Sequence, residues 1–246
     1  MNDVVLETRG LVKEFGGLRA VNSLDFTLRR GELRCVIGPN GAGKSTLFKL
    51  LTGQLKPTAG TIHFKGLDVT RLLPHEIARA GIGIKFQVPR VYDSLPVAEN
   101  LWLSARSRHG AAGAGAIVDR VLAEVGLVER RASPVGHLSH GDRQWVEIGM
   151  VLTSDPDLVL LDEPTAGMTQ GEAGALMRLL RGLVADLGLA IILIEHNMRV
   201  VMEVSDWVTV LDHGERIAEG APREVQENPR VIEAYLGTRS PGRRRA

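Results

Sequence analysis

The amino-acid sequence predicts an α/β fold in which a mostly parallel central sheet is joined by an N-terminal antiparallel β layer and a helical subdomain. Three observations lead to this prediction. First, short and almost wholly apolar segments occur at 33–37, 158–162 and 190–195, and the last two end in acidic residues. Second, runs of apolar and β-branched residues before turn signals gather near the N-terminus. Third, apolar residues follow helical spacing between about residues 89 and 155.

The N-terminal β layer is predicted from three such runs, at 4–8, 23–28 and 61–64. The segments of the central sheet differ because they are apolar at nearly every position, as strands buried on both faces are. The polar residues that end these strands would meet at one edge of the sheet, which is where open α/β folds bind ligands.

A glycine-rich loop follows the first buried strand and precedes a helix-like segment at 45–51. The loop has the complete form G-x-x-x-x-G-K-[ST] in the strand–loop–helix context that a phosphate-binding loop requires. Its glycines let consecutive N–H groups point at an anion, and the helix N-terminus adds positive partial charge. Lys44 can reach the β- and γ-phosphates, and the Ser45 hydroxyl can bind Mg²⁺. The predicted nucleoside-triphosphate site consists of Gly38, Pro39, Asn40, Gly41, Ala42, Gly43, Lys44, Ser45 and Thr46.

A mostly helical insertion is predicted between this loop and the second buried strand. Helical spacing is found at 97–105 and 117–125, and the glycine- and alanine-rich run at 110–115 predicts a flexible connection between them. A third helix is predicted at 142–152, before Ser154-Asp155-Pro156. The remaining predicted elements are a hairpin at 207–218 around His213-Gly214 and small closing helices at 224–236.

Two carboxylates, Asp162 and Glu163, follow the apolar run 158–161 at the end of the second buried strand. We expect Asp162 to hold Mg²⁺, directly or through water, and Glu163 to accept a proton from an attacking water. Such general-base help is typically worth about 10²–10⁴ in rate. An apolar run before Asp-Glu is also typical of a simple strand end, and the phosphate loop upstream is what favours the catalytic interpretation.

Composition narrows the classes of function. A chain of 246 residues with 44% hydrophobic content suits one large domain, and its net charge of +1 provides no general electrostatic case for nucleic acid. Cys35 lies in an apolar run, which predicts that it is a core residue. The N-terminus carries no signal segment, and no apolar run approaches the roughly 20 residues of a bilayer span. We therefore expect a cytoplasmic protein.

Five motifs in order give the sequence a strong resemblance to a known family. The phosphate loop is followed by Gln87, by Leu138-Ser139-His140-Gly141-Asp142, by the Asp162–Glu163 pair and by His196 at the end of the third buried strand. This order resembles the ATP-binding subunits of ABC transporters, over about residues 4–237. The resemblance implies a P-loop NTPase fold of the ABC-ATPase type, with ATP and Mg²⁺ as nucleotide and cofactor.

The resemblance also implies roles for single residues. Phe15 would stack on adenine, and Gln87 would contact Mg²⁺ and the attacking water. His196 would touch the γ-phosphate and so join Lys44, Gln87 and Glu163 in catalysis. Ser139 and Gly141 would face the γ-phosphate of a nucleotide bound to a second subunit. Hydrolysis would then occur at the interface of a head-to-tail dimer that ATP closes.

The domain organisation implied by the resemblance is a single ABC ATPase domain at 1–237. Residues 1–87 and 156–237 would form the core with its antiparallel β layer, and residues 88–155 the helical subdomain. Residues 238–246 would form a flexible basic tail.

The implied partners are a second ABC ATPase, identical or different, two integral-membrane permeases and, indirectly, a secreted solute-binding protein, with no nucleic acid. The chain would lie in the cytoplasm on the inner face of the plasma membrane. Some of the apolar residues of segment 88–103 would be exposed and form a groove for a permease helix, while the alternative is that most of them are core residues. Details such as Glu195-His196-Asn197-Met198 resemble the ATPase subunits of importers of branched-chain amino acids and of urea or short amides, and the 138–150 region resembles that of the urea type.

The alternatives are a soluble ABC-type ATPase that acts on a macromolecular complex, and a nucleotide-binding regulatory subunit without hydrolysis.

Three residues depart from the family pattern. His140 and Asp142 replace the third and fifth residues of the usual LSGGQ signature, and Thr169 stands where the family has an aspartate. Bulk at His140 predicts slower or altered dimer closure. Thr169 can form hydrogen bonds but carries no charge, which predicts altered communication between the two sites of a dimer.

Overall fold

The computed structural model describes residues 3–85 and 91–236. Within these ranges the chain forms two sheets flanked by helices. The strands are β1 (Val4–Phe15), β2 (Leu18–Arg29), β3 (Leu33–Ile37), β4 (Ala59–Phe64), β5 (Leu67–Asp68), β6 (Ile82–Lys85), β7 (Leu158–Asp162), β8 (Ala190–Ile194), β9 (Trp207–Asp212) and β10 (Glu215–Gly220). The helices are α1 (Lys44–Leu51), α2 (Pro74–Ala80), α3 (Val97–Glu124), α4 (His140–Leu152), α5 (Gln170–Leu187), α6 (Met198–Val204), α7 (Pro222–Gln226) and α8 (Pro229–Leu236).

The predicted antiparallel layer is confirmed as a four-stranded sheet with the order β2-β1-β4-β5. Its strands pair antiparallel throughout, and β1 and β2 are longer than the apolar runs that predicted them. Alternate side chains of these strands point into the core, among them Leu6, Phe26 and Phe64, each at most 1% exposed.

The predicted parallel sheet is also confirmed, with the order β10-β9-β3-β8-β7-β6. All neighbouring strands from β9 to β6 pair parallel, and only β10 pairs antiparallel, as the second strand of the predicted hairpin. The strands β3 and β8 are buried at every position, as expected for strands covered on both faces. The loops after β3, β7 and β8 therefore start from one edge of the sheet.

The helical region contains α3 and α4, which pack against each other, but the flexible connection predicted at 110–115 is wrong. The chain remains helical through this run, and only Gly110 leaves helical geometry, at φ 70° and ψ 174°. Ala114 is fully buried, so the run after the kink packs into the protein as part of α3. Alanine favours the helix, and packing compensates for the weak helix propensity of the glycines.

Two clusters of buried apolar side chains support the fold. One lies between the parallel sheet, α5 and the helices α3 and α4, and the other between the two sheets around α1. Cys35 belongs to the first cluster, and burial raises the pKa of its thiol to about 12, so it acts as a core residue. No helix of the described ranges is both long and apolar enough to cross a bilayer.

Candidate nucleotide site

The phosphate loop connects the buried strand β3 to the N-terminus of α1. Gly43 is the N-cap of α1, and within the described residues no side chain caps the free N–H groups of the first turn. A Cβ at Gly43 (φ 103°) would lie 2.3 Å from the carbonyl oxygen of Ala20, and one at Gly38 would lie 2.1 Å from that of Leu211. Only glycine fits at these two positions, so the loop holds its N–H groups where an anion can reach them.

Lys44 lies over this loop. Its Nζ donates hydrogen bonds to the carbonyl oxygens of Gly38, at 2.6 Å, and Pro39, at 3.0 Å. Partial burial lowers the pKa of Lys44, while the charges of Glu163 and Asp162 act in the opposite direction. The ammonium group is thus held near the carboxylates by weak neutral acceptors, which the oxygens of a phosphate can replace with a stronger, charge-assisted contact.

Asp162 and Glu163 lie at the end of β7, beside β8. Burial raises the pKa of Asp162, and the neighbouring charge of Glu163 raises it further. Glu163 has a left-handed backbone at φ 46°, and its N–H donates to Ile194 O at 2.9 Å. This geometry turns the chain sharply after the strand and keeps the Glu163 carboxylate at the sheet edge.

His196 follows β8 and reaches the same place. Its Nδ1 lies 3.5 Å from Oε1 of Glu163, with the histidine side chain 64% exposed and the glutamate 30% exposed. The structure therefore brings together Lys44, Asp162, Glu163 and His196, from three loops at one sheet edge, as the motifs predicted.

The residues present fit Mg²⁺ and a triphosphate. A glycine cradle with free N–H groups accepts phosphate oxygens, and Ser45 stands in the first turn of α1. The two adjacent carboxylates of Asp162 and Glu163 supply the oxygen ligands that a divalent cation prefers. When bound, Mg²⁺ would neutralise charge on the phosphates, with Ser45 and Asp162 as protein ligands. The Glu163 carboxylate and the His196 imidazole lie at the same sheet edge, and their roles toward water and the terminal phosphate stay predictions.

Phe15 and Gln87 are the remaining predicted contacts of the nucleotide and its metal ion. Phe15 ends β1 with 46% of its surface exposed, so its ring is available for stacking on a base, and Lys13 Nζ lies 5.1 Å from its centroid. Gln87 lies outside the described residues. The roles of Phe15 and Gln87 remain predictions.

The signature residues begin helix α4. Ser139 is the N-cap, and its Oγ accepts the N–H of Asp142 at 3.0 Å, which leaves the hydroxyl hydrogen free to donate. The helix N-terminus and this hydroxyl together suit the anion that the resemblance implies. His140 lies near Gly167 of the same chain, where a Cβ on Gly167 would be 3.3 Å from the imidazole Nε2.

Thr169 has a structural role that the sequence analysis missed. It is the N-cap of α5: its Oγ accepts the Glu172 N–H at 3.3 Å and its own N–H donates to Glu172 Oε2 at 2.8 Å, which together make a capping box. The Thr169 hydroxyl also donates to Glu172 Oε2 at 2.8 Å. These hydrogen bonds lower the pKa of Glu172. The same carboxylate packs against Gly141, where an added Cβ would lie 2.5 Å from Glu172 Oε1. A carboxylate therefore lies beside the signature although residue 169 carries none. The Thr-x-x-Glu spacing of Thr169 and Glu172 is the sequence signal that could have predicted this capping box.

Two further polar contacts near the site were also missed. Lys85 ends β6, two residues before Gln87, and pairs with Glu147 of α4 at 3.0 Å, with the two side chains 4% and 8% exposed. Glu195 is fully buried between His196 and Thr165. Neither contact has a signal in the sequence, because each joins segments that are distant along the chain.

Comparison with known families gives two matches. The family model described as ABC transporter matches residues 21–166, which is more than half of the chain. The model described as branched-chain amino acid ATP-binding cassette transporter matches residues 215–240. The two matches together cover the phosphate loop, the acidic pair and the C-terminal helices.

Curated relatives match over nearly their whole length. The high-affinity branched-chain amino acid transport ATP-binding protein BraF of Pseudomonas aeruginosa is 35% identical over 96% of this chain and 99% of its own. The high-affinity branched-chain amino acid transport ATP-binding protein LivG of Escherichia coli K12 is 37% identical over 96% of this chain and 99% of its own.

Solved structures of ATP-binding cassettes have the same fold as this chain. The ADP conformation of MJ1267, an ATP-binding cassette of an ABC transporter, superposes with a TM-score of 0.87 at 30% identity, covering 95% of this chain and 99% of that one. The ATP-binding cassette MJ0796, a dimer bound to ADP and Pi in a post-hydrolysis state, superposes with a TM-score of 0.77 at 25% identity, covering 89% and 99%. The motifs, the fold and these relatives lead to one conclusion: the chain belongs to the family of ATP-binding, ATP-hydrolysing subunits of ABC transporters.

Proposed function

We propose that this chain powers an ABC importer of small polar solutes, of the class that includes branched-chain amino acids, urea and short amides. The observation that carries the proposal is the whole-length similarity to branched-chain amino acid transport ATP-binding proteins, together with the C-terminal match to the same class. The solute would pass through the permeases, so no residue of this chain would contact it.

The proposed mechanism uses two ATPase subunits. Each nucleotide would lie between the phosphate loop of one subunit and Ser139 and Gly141 of the other. Lys44 and the loop N–H groups would bind the phosphates, and Glu163 and His196 would act on water and the terminal phosphate. Hydrolysis would weaken the contacts across the interface and let the subunits separate. The second subunit is a copy of this chain or a different ABC ATPase.

The other proposed partners are two integral-membrane permeases, with a secreted solute-binding protein beyond them, and the chain would lie in the cytoplasm at the inner face of the plasma membrane. In the segment predicted to contact a permease helix, Val97 and Leu101 are fully buried and belong to the core. Tyr92 is 57% exposed, and Asn100 holds its loop by bonding Tyr92 N–H at 2.8 Å and Tyr92 O at 3.1 Å. A rigid loop with an exposed tyrosine suits a docking contact.

Reconstitution tests the proposal. The chain is co-expressed with permeases of the proposed importer class, and the complex is placed in liposomes with the matching solute-binding protein. We expect ATP-dependent uptake of one solute of the proposed class, measured with labelled leucine, urea and acetamide, and no uptake with Glu163→Gln. Failure to assemble with any permease, or assembly with a ribosomal or DNA complex instead, would contradict the importer.

A matched pair of surface variants tests the docking contact. Tyr92→Ser should reduce co-purification with the permeases several-fold while leaving the ATP affinity of the isolated chain unchanged. Leu67→Ser is the control, because Leu67 is 68% exposed on the antiparallel layer. Equal loss of assembly in both variants would show that the effect is not specific to the Tyr92 loop.

A further inference from the structure

Glu195 is a fully buried carboxylate beside the catalytic edge of the sheet. It follows β8 directly and precedes His196. Burying a carboxylate costs free energy unless hydrogen bonds replace its hydration. Glu195 has no part in the proposed hydrolysis by Lys44, Glu163 and His196, so another role must explain its burial.

Among the described residues, Glu195 accepts hydrogen bonds from donors on two chain segments. Its Oε1 accepts the Thr165 hydroxyl at 2.5 Å and the Thr165 N–H at 3.4 Å. Its Oε2 accepts the His196 N–H at 3.2 Å. A carboxylate offers only acceptors, so it matches three donors that no other side chain of similar size could satisfy together.

Thr165 belongs to the turn that follows Glu163. That turn is attached to the sheet at Glu163, whose N–H donates to Ile194 O at 2.9 Å, and it closes through Ala166 N–H, which donates to Glu163 O at 3.1 Å. The contact between Thr165 and Glu195 adds a second attachment, two residues further along. The turn is therefore attached at Glu163 to the last residue of β8 and at Thr165 to the residue that follows β8.

We propose that Glu195 is a positioning residue, which sets the distance between Glu163 and His196 by linking the turn after Glu163 to the backbone of His196. The two catalytic side chains come from separate loops and lie 3.5 Å apart, so their geometry depends on how these loops are joined. Glu195 contacts neither water nor nucleotide in this role. The proposal rests on the ATP hydrolysis of the family and holds for any solute.

The test uses variants that change the hydrogen bonds between Glu195 and Thr165 and keep side chains of similar size. Glu195→Gln puts an amide NH₂ against at least one N–H donor, so at least one of the three hydrogen bonds is lost. Thr165→Val removes the hydroxyl, and Thr165→Ser retains it as the matched control. We expect kcat for ATP to fall about 10–100-fold in Glu195→Gln and Thr165→Val, because displacements of about 1 Å can cost that much. KM should stay within about threefold, and Thr165→Ser should keep near wild-type turnover.

The double variant Glu195→Gln/Thr165→Val distinguishes positioning from a general loss of structure. If both residues act through one link, the double variant should be about as slow as the slower single variant. ATP binding should keep its stoichiometry of about one per chain, measured calorimetrically well below the unfolding temperature. Multiplied effects, or a rise in KM without a fall in kcat, would overturn the proposal.

Hydrogen exchange gives a readout that does not depend on turnover, so failure of the transport proposal would not affect it. In Glu195→Gln, the amide of His196 or that of Thr165 should exchange at least about tenfold faster, while amides in β3 stay unchanged. Unchanged exchange at both amides, or a kcat within twofold of wild type in both single variants, would overturn the positioning role.

Discussion

The buried pair between Lys85 and Glu147 allows a quantitative prediction about how the helical region is attached to the sheet. The pair joins the last residue of β6 to α4, the helix that begins with the signature residues. Its atoms are 3.0 Å apart, and the side chains are only 4% and 8% exposed. Removal of one partner leaves a buried charge without compensation, which typically costs about 3–5 kcal/mol.

The expected magnitudes follow from this burial. Lys85→Met and Glu147→Leu should each lower the free energy of unfolding by about 3–5 kcal/mol. The double variant replaces both charges by apolar groups of similar size and should lie within about 2 kcal/mol of wild type. The coupling energy of the pair is then at least about 4 kcal/mol, far above the scatter of additive sites.

Urea unfolding, followed by tryptophan fluorescence and far-UV circular dichroism, measures these energies. The exposed pair Lys65–Asp157, at 2.7 Å and with side chains 49% and 30% exposed, is the matched control. Its cycle, with Lys65→Met and Asp157→Asn, should give a coupling of at most about 1 kcal/mol. Single substitutions at Lys85 and Glu147 that cost under about 1 kcal/mol and simply add in the double variant would refute the reasoning.

Three further predictions concern the site. Asp162→Asn should raise the Tm of the nucleotide-free protein by about 1–3 °C and abolish Mg²⁺-dependent turnover. The folded state raises the pKa of Asp162, so the wild type loses stability as pH rises through that pKa. The Tm difference between variant and wild type should therefore be complete at neutral pH and disappear toward pH 4. A lower Tm for the variant than for the wild type at pH 7 would contradict this reasoning. Gly43→Ala should lose ATP binding in calorimetry, because its Cβ would lie 2.3 Å from Ala20 O, and retained affinity would contradict the cradle. Ser139→Ala should cost about 1 kcal/mol in urea unfolding through loss of the N-cap, whereas Ser139→Thr should cost less; equal losses would contradict the cap.

The sequence predicted the fold where local pattern and tertiary environment agree. Strands β3, β7 and β8 are apolar because both faces are covered, and the same property identifies them in the sequence. Strand β6 was missed because it is only four residues long and contains Gly83, whose absent side chain makes room for Val151.

Helix α5 was also missed, although it is 18 residues long. Its glycines at 171, 174 and 182 weaken its helix propensity, while Leu176, Leu180 and Leu183 pack into the core and stabilise it. The run at 110–115 shows the opposite error, because its glycines favoured a loop where burial of Ala114 favours a helix.

The site was predictable to the extent that its residues belong to contiguous motifs. Lys44, Asp162, Glu163 and His196 each end or follow a buried strand, so parallel topology alone places them at one edge. Contacts between distant segments were not predictable from pattern. Thr165 and Glu195, for example, are 30 residues apart, and their hydrogen bond depends on how two loops meet above the sheet.

The most direct test of this interpretation compares Mg-ATP binding and phosphate release in the wild type, Lys44→Ala and Glu163→Gln. The wild type should bind and hydrolyse ATP, Lys44→Ala should lose binding, and Glu163→Gln should keep binding while its turnover falls at least about 100-fold. Wild-type turnover that survives unchanged in both variants would contradict the assignment of this loop and this carboxylate to ATP hydrolysis.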